Sequence, residues 1–142
     1  MSVAVETRYS QTIHPLHAVL LAGTVPLFLG AALSDAAYAA TYEIQWLNFA
    51  SWLIVGGLLL SGLALAFAIA DLSRPARRTR GVAPYTALLL ALWLIGLCNA
   101  FMHARDAWAS MPTGLTLSII VTALACVATW LGFNSPRRWG TQ

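Results

Sequence analysis

Residues 13–40, I-H-P-L-H-A-V-L-L-A-G-T-V-P-L-F-L-G-A-A-L-S-D-A-A-Y-A-A, decide the fold. The run is long and apolar enough to cross a bilayer, for which a helix needs about 20 residues. It nevertheless carries His14 and His17 near one end and Asp35 near the other. Ionisable groups on a spanning helix are rare and costly, so each is a candidate functional residue. At roughly 100° per residue, Asp35 shares a helical face with His17, and His14 lies about 60° away. The three form one polar stripe about 30 Å long at about 1.5 Å per residue.

Composition widens this reading to the whole chain. Of 142 residues, 59% are hydrophobic and 9% charged, against about 25% charged in a soluble domain. The mean hydropathy is +0.72. These values describe an integral membrane protein in contact with a lipid bilayer. The net charge of +3 does not point to nucleic acid, because the basic residues are all arginines clustered beside apolar runs, where they set membrane orientation. Cys98 and Cys126 fall inside spans and outside any C-x-x-C pattern, which argues against a disulfide or zinc site. The first span reads as uncleaved, although Ala37-Tyr38-Ala39 has a small-x-small form.

Working outward from the first span, the chain predicts an all-α, four-helix membrane bundle as a single domain over 1–142. The spans are expected at about 13–39, 44–70, 84–104 and 115–133. Pro15 suits the first turn of span one, and Pro26 should kink it or turn backbone groups toward polar neighbours. Span two is rich in small residues: Gly57 and Ser61, then Gly62, Ala66 and Ala70, allow close helix approach. Helical periodicity runs on through N-A-F-M-H-A-R-D-A-W after span three, and Pro112 with Gly114 marks the next turn. Arg8, Arg74, Arg77, Arg78, Arg80, Arg137 and Arg138 share one side, and Arg105 stands on the other. By the positive-inside rule both termini are cytoplasmic.

That topology divides the polar residues by depth. Asp35, Tyr38, Asn48, Asn99, His103, Arg105 and Asp106 gather at the far side, with Trp46, Trp52 and Trp108 as an aromatic belt. Asn99, His103 and Asp106, at i, i+4 and i+7, share a face. A carboxylate beside an imidazole can hold its tautomer or accept its proton, which suits a quinone headgroup. It can equally orient a histidine that ligates haem iron. The competing reading is that these residues tie three helices together by hydrogen bonds. His14 and His17 remain at the cytoplasmic end, as interface residues or ligands, with no partner named by the chain.

Haem is constrained further. His17 and His103 are read as lying near opposite ends of antiparallel spans, about 25 to 30 Å apart. Neither can complete a bis-histidine site with the other, so iron ligation by His103 or His17 needs a different second ligand or a second subunit. No G-x-S-x-G, H-E-x-x-H or phosphate loop is present. Whether the chain is an enzyme stays open.

The opening I-H-P-L, the aspartate of L-S-D about twenty residues later, and four short spans resemble a family of small bacterial membrane proteins. It is the domain-of-unknown-function family twenty-two thirty-one, and the resemblance covers nearly the whole chain. His14, Pro15 and Asp35 match its pattern; Val19 stands where many members have a further histidine, and His17 takes a neighbouring place. N-A-F-M-H-A-R-D-A-W looks like a subfamily feature. The resemblance implies a redox setting by association, with a sugar dehydrogenase, cytochrome c or Rieske protein as periplasmic partner. The expectation is a multi-pass subunit of the bacterial inner membrane that binds haem b or a quinone. The alternative is a non-catalytic anchor or assembly subunit with a protein partner or a second copy. A transporter is a third option, though four spans without inverted repeats would require dimerisation.

Overall fold

The computed structural model describes residues 14–74, 81–105 and 107–134, with the backbone alone at 107 and 108. Four long helices form: α1 (Pro15–Thr41), α2 (Ile44–Ser73), α3 (Val82–His103) and, after the four-residue α4 (Ala107–Ser110), α5 (Thr113–Asn134). Each long helix is long and apolar enough to span a membrane, and no strand occurs among the described residues. The bounds differ from the sequence expectation by a few residues, and Ile13 lies outside the described residues. The periodicity expected to run on past span three is broken: α3 ends at His103, and only α4 follows before the turn.

Local chemistry sets the ends. His14 caps α1 by accepting the Leu16 N–H at Nδ1, 3.3 Å away, and Pro15 occupies the first turn, where its missing N–H is not needed. Tyr42, at φ 58°, closes α1 in the left-handed region, its N–H bonded to the Tyr38 carbonyl at 2.8 Å. Arg74 is extended (φ −94°, ψ 113°), as expected of a residue that precedes proline.

Around the bundle, α1 packs on α2 and α5, and α3 packs on the same two helices. Helices α1 and α3 therefore face each other diagonally. Early residues of α1 meet early residues of α3 (His17 with Tyr85), and late meet late (Asp35 with His103). The two helices run parallel, which corrects the antiparallel expectation. His17 and His103 still sit at opposite ends, because three connected spans place the first and third in the same direction.

Close approach depends on glycine. A Cβ on Gly57 would stand 2.6 Å from the Phe28 ring, and one on Gly132 would stand 2.7 Å from Leu21. Large side chains thus fill the space that glycine leaves, the packing that holds helices together in lipid. The small-residue face of span two is divided: Gly57 and Ser61 are buried within the chain, whereas Ala66 and Ala70 are exposed. Between the bundle ends, Leu21, Phe28, Leu89, Leu92, Val121, Ala125 and Ala128 form a dry core. Leu33, Trp52, Leu59, Phe101 and Trp130 point outward, as side chains that face lipid.

At Pro26, helix α1 continues without a break. The ring deprives the Ala22 carbonyl of its helical donor. The adjacent Leu21 carbonyl accepts two hydroxyls, Thr24 at 2.7 Å and Thr129 of α5 at 3.3 Å. The second of these bonds ties α5 to α1 beside the proline.

Candidate functional site

Asp35 is wholly buried (0% exposed). An ionisable group in that position needs its valences filled by other helices, since lipid offers none. Its Oδ1 lies 2.8 Å from His103 Nε2, across the bundle axis. Its Oδ2 accepts the Ser118 hydroxyl of α5 at 2.6 Å. Ser118 Oγ in turn accepts Asn99 Nδ2 at 2.8 Å. His103 Nδ1 lies 3.0 Å from the Asn99 backbone carbonyl, one turn earlier on α3.

These contacts constrain the protons. A carbonyl can only accept, so His103 Nδ1 carries a hydrogen. With the Asn99 amide placed to donate to Ser118, the serine hydrogen is committed to Asp35 Oδ2. One hydrogen remains between Asp35 Oδ1 and His103 Nε2. It belongs either to an imidazolium beside a carboxylate or to a carboxyl beside a neutral imidazole. Both forms are neutral overall, which allows the pair to sit inside a membrane bundle. Asn99 Oδ1 is buried and has no hydrogen-bond partner in the structure.

Gly114 completes the setting. A Cβ there would meet His103 Cε1 at 3.0 Å, so the imidazole lies directly against the α5 backbone. Ser118→Ala removes one donor to Asp35 and the acceptor of Asn99. It should lower stability by about 1 to 2 kcal/mol, measured as a fall in unfolding temperature in detergent.

The other expected residues are distributed as follows. Tyr38 is buried one turn beyond Asp35, edge-on to Tyr42 with ring centroids 6.4 Å apart. Asn48 is exposed on α2 and stands outside the network. Arg105 is exposed too, its Nη1 3.8 Å from the Met102 sulfur. These two correct the seven-residue cluster: they share its depth but point away from the interior. Asp106 lies outside the described residues, as does the Trp108 side chain.

At the opposite end, His14 is exposed and stacks on Phe67, with centroids 5.8 Å apart. His17 is buried at 6% exposure, with Nε2 3.0 Å from the Tyr85 hydroxyl. The chain therefore does supply His17 with a partner. Tyr85 and Ser118 were both absent from the sequence reading. Ser118 had a legible signal: Gly114, Ser118, Val121, Ala125, Ala128 and Gly132 recur at alternating steps of four and three, the inward seam of α5.

For metal, the described residues contain no group of three or more His, Cys, Asp or Glu arranged to hold an ion. Both ring nitrogens of His103 are engaged, so iron ligation there would break the pair with Asp35. No curated protein and no solved structure matches the chain. The sequence pattern of DUF2231, described as a predicted membrane protein, matches residues 13–141. With four apolar helices in a bundle and a match over nearly its whole length, the chain belongs to the DUF2231 family.

Proposed function

We propose that this chain is a membrane subunit of a redox system, in which the Asp35–His103 pair holds and passes a proton exchanged with a quinone. The observation that carries this reading is the buried carboxylate and imidazole sharing one hydrogen while Ser118 and Asn99 fill their remaining positions. Such a pair can take up one further proton, becoming an imidazolium beside a neutral carboxyl, and give it back. Asn99 Oδ1, an acceptor without a donor, is placed to receive a hydroxyl hydrogen. A bound quinone supplies two-electron, two-proton chemistry. Of the two groups expected, the quinone suits these residues, and haem does not suit His103.

Arginine placement supports cytoplasmic termini in a bacterial inner membrane. Asp35 and His103 then lie at the periplasmic end, where a dehydrogenase, cytochrome c or Rieske protein would exchange electrons. The test is quinone content and absorption spectrum of the purified protein. Wild type should carry quinone above the level of its co-purified lipid, and His103→Ala should lose the share held at this end, about one quinone per chain. Equal quinone in both proteins, or a Soret band lost in His103→Ala, would contradict the proposal.

A second reading, a non-catalytic assembly subunit, is favoured by one observation. The same network joins α1, α3 and α5 and leaves only Asn99 Oδ1 unsatisfied, which is what a structural tie needs. On that reading Asp35→Asn should be nearly silent. Leu63→Ala should instead weaken co-purification with a protein partner, because Leu63, 53% exposed, lines an apolar groove between α2 and α3.

A further inference from the structure

The end of the bundle opposite Asp35 and His103 holds a second buried imidazole that their site does not use. His17 comes from the first turn of α1, Phe67 from α2, Tyr85 from the first turn of α3, and Gly132 from α5. The Phe67 ring meets His17 edge-on, with centroids 5.9 Å apart. A Cβ on Gly132 would come within 3.2 Å of the Tyr85 hydroxyl, so that hydroxyl lies against the α5 backbone. His17 Nδ1 is buried and has no hydrogen-bond partner.

Proton economy identifies what that orphan atom is. Among the described residues, the Tyr85 hydroxyl has no hydrogen-bond partner other than His17 Nε2. A phenol whose one acceptor is an imidazole nitrogen donates to it. Nε2 is then the unprotonated nitrogen, and Nδ1 carries the hydrogen of the neutral ring. The structure thus presents a buried N–H without an acceptor, which is rare in folded proteins.

We infer that His17 Nδ1 donates to a carbonyl oxygen of a flat, neutral ring, and that this end of the bundle is a quinone-type binding site. Two features select that class. The surroundings are aromatic, with His14 stacked on Phe67 within the same cluster. An apolar groove of about 430 Å³ on the same half of the bundle passes Val25, Thr129 and Phe133, a lane for an isoprenoid tail. The site stands on its own observation and does not rest on the Asp35–His103 reading.

The test is a titration of the full-length, 15N-histidine-labelled protein in detergent with decylubiquinone, following the His17 Nδ1 resonance. Wild type should show a protonated Nδ1 whose signal moves saturably with the quinone. Tyr85→Phe keeps the ring but frees Nε2, so the hydrogen is no longer held at Nδ1, and affinity should fall about tenfold, the equivalent of one hydrogen bond. Asp35→Asn should leave this titration unchanged, which separates its failure from failure of the far-side proposal. An unprotonated Nδ1 or a signal unmoved by quinone would overturn the inference, as would equal affinity in Tyr85→Phe. A Soret band abolished by His17→Leu would overturn it in favour of iron.

Discussion

Asp35→Ala is expected to destabilise the bundle by about 2 to 4 kcal/mol, read as a large fall in the unfolding temperature in detergent. The substitution removes the acceptor of the Ser118 hydroxyl and the partner of His103 Nε2 at once. Both groups are buried, and lipid cannot replace what they lose. Asp35→Asn separates structure from chemistry. Its amide keeps two polar atoms in place, so most of the stability should remain. It cannot take up or release a proton near neutral pH, so quinol-linked electron transfer should fall at least 100-fold, about 2.7 kcal/mol in barrier. Equal loss of stability in both variants would mean that the charge, and not the hydrogen bonding, maintains the fold.

Gly57→Leu should prevent the native bundle from forming, seen as loss of a cooperative unfolding transition and of monodisperse protein. A Cβ alone would lie 2.6 Å from two atoms of the Phe28 ring, which is itself 1% exposed in the centre of the core. The ring belongs to the main core cluster with Leu21, Leu89, Leu92 and Val121, so packed neighbours restrict its retreat. Overpacking by a single methylene commonly costs about 1 to 3 kcal/mol, and leucine adds four carbons. Gly57→Leu therefore reports on folding, not on a partner surface. The same change paired with Phe28→Ala should restore part of the stability, since the volumes then offset.

Depth along the membrane normal was legible in the sequence; rotation about a helix axis was legible only where small residues mark a seam, as on α5. Four apolar runs broken by proline and arginine fix the spans, and counting residues from the breaks puts Asp35 level with His103. That is why the pair was anticipated. Soluble helices reveal their inward face by amphipathic pattern, but here apolar side chains cover both the core and the lipid face, so no such contrast exists. Asn48 and Arg105 consequently entered the cluster by depth and left it by rotation. Ser118 has no charge to draw attention, and serines in spans often bond their own helix, as Ser34 does to Gly30 and Ser51 to Leu47. Tyr85 reads as an interfacial aromatic until α3 is known to face α1 across the bundle.

The most direct test of the Asp35–His103 account is the 15N spectrum of His103 in histidine-labelled protein, recorded with and without decylubiquinol. Nδ1 should be protonated in both states, because it faces the Asn99 carbonyl. The Nε2 resonance should shift when quinol is added and return when quinol is removed, as the hydrogen shared with Asp35 is redistributed. An Nε2 signal that stays fixed at saturating quinol, in protein that still unfolds cooperatively, would contradict the proton-handling role and leave the pair as a tie between helices.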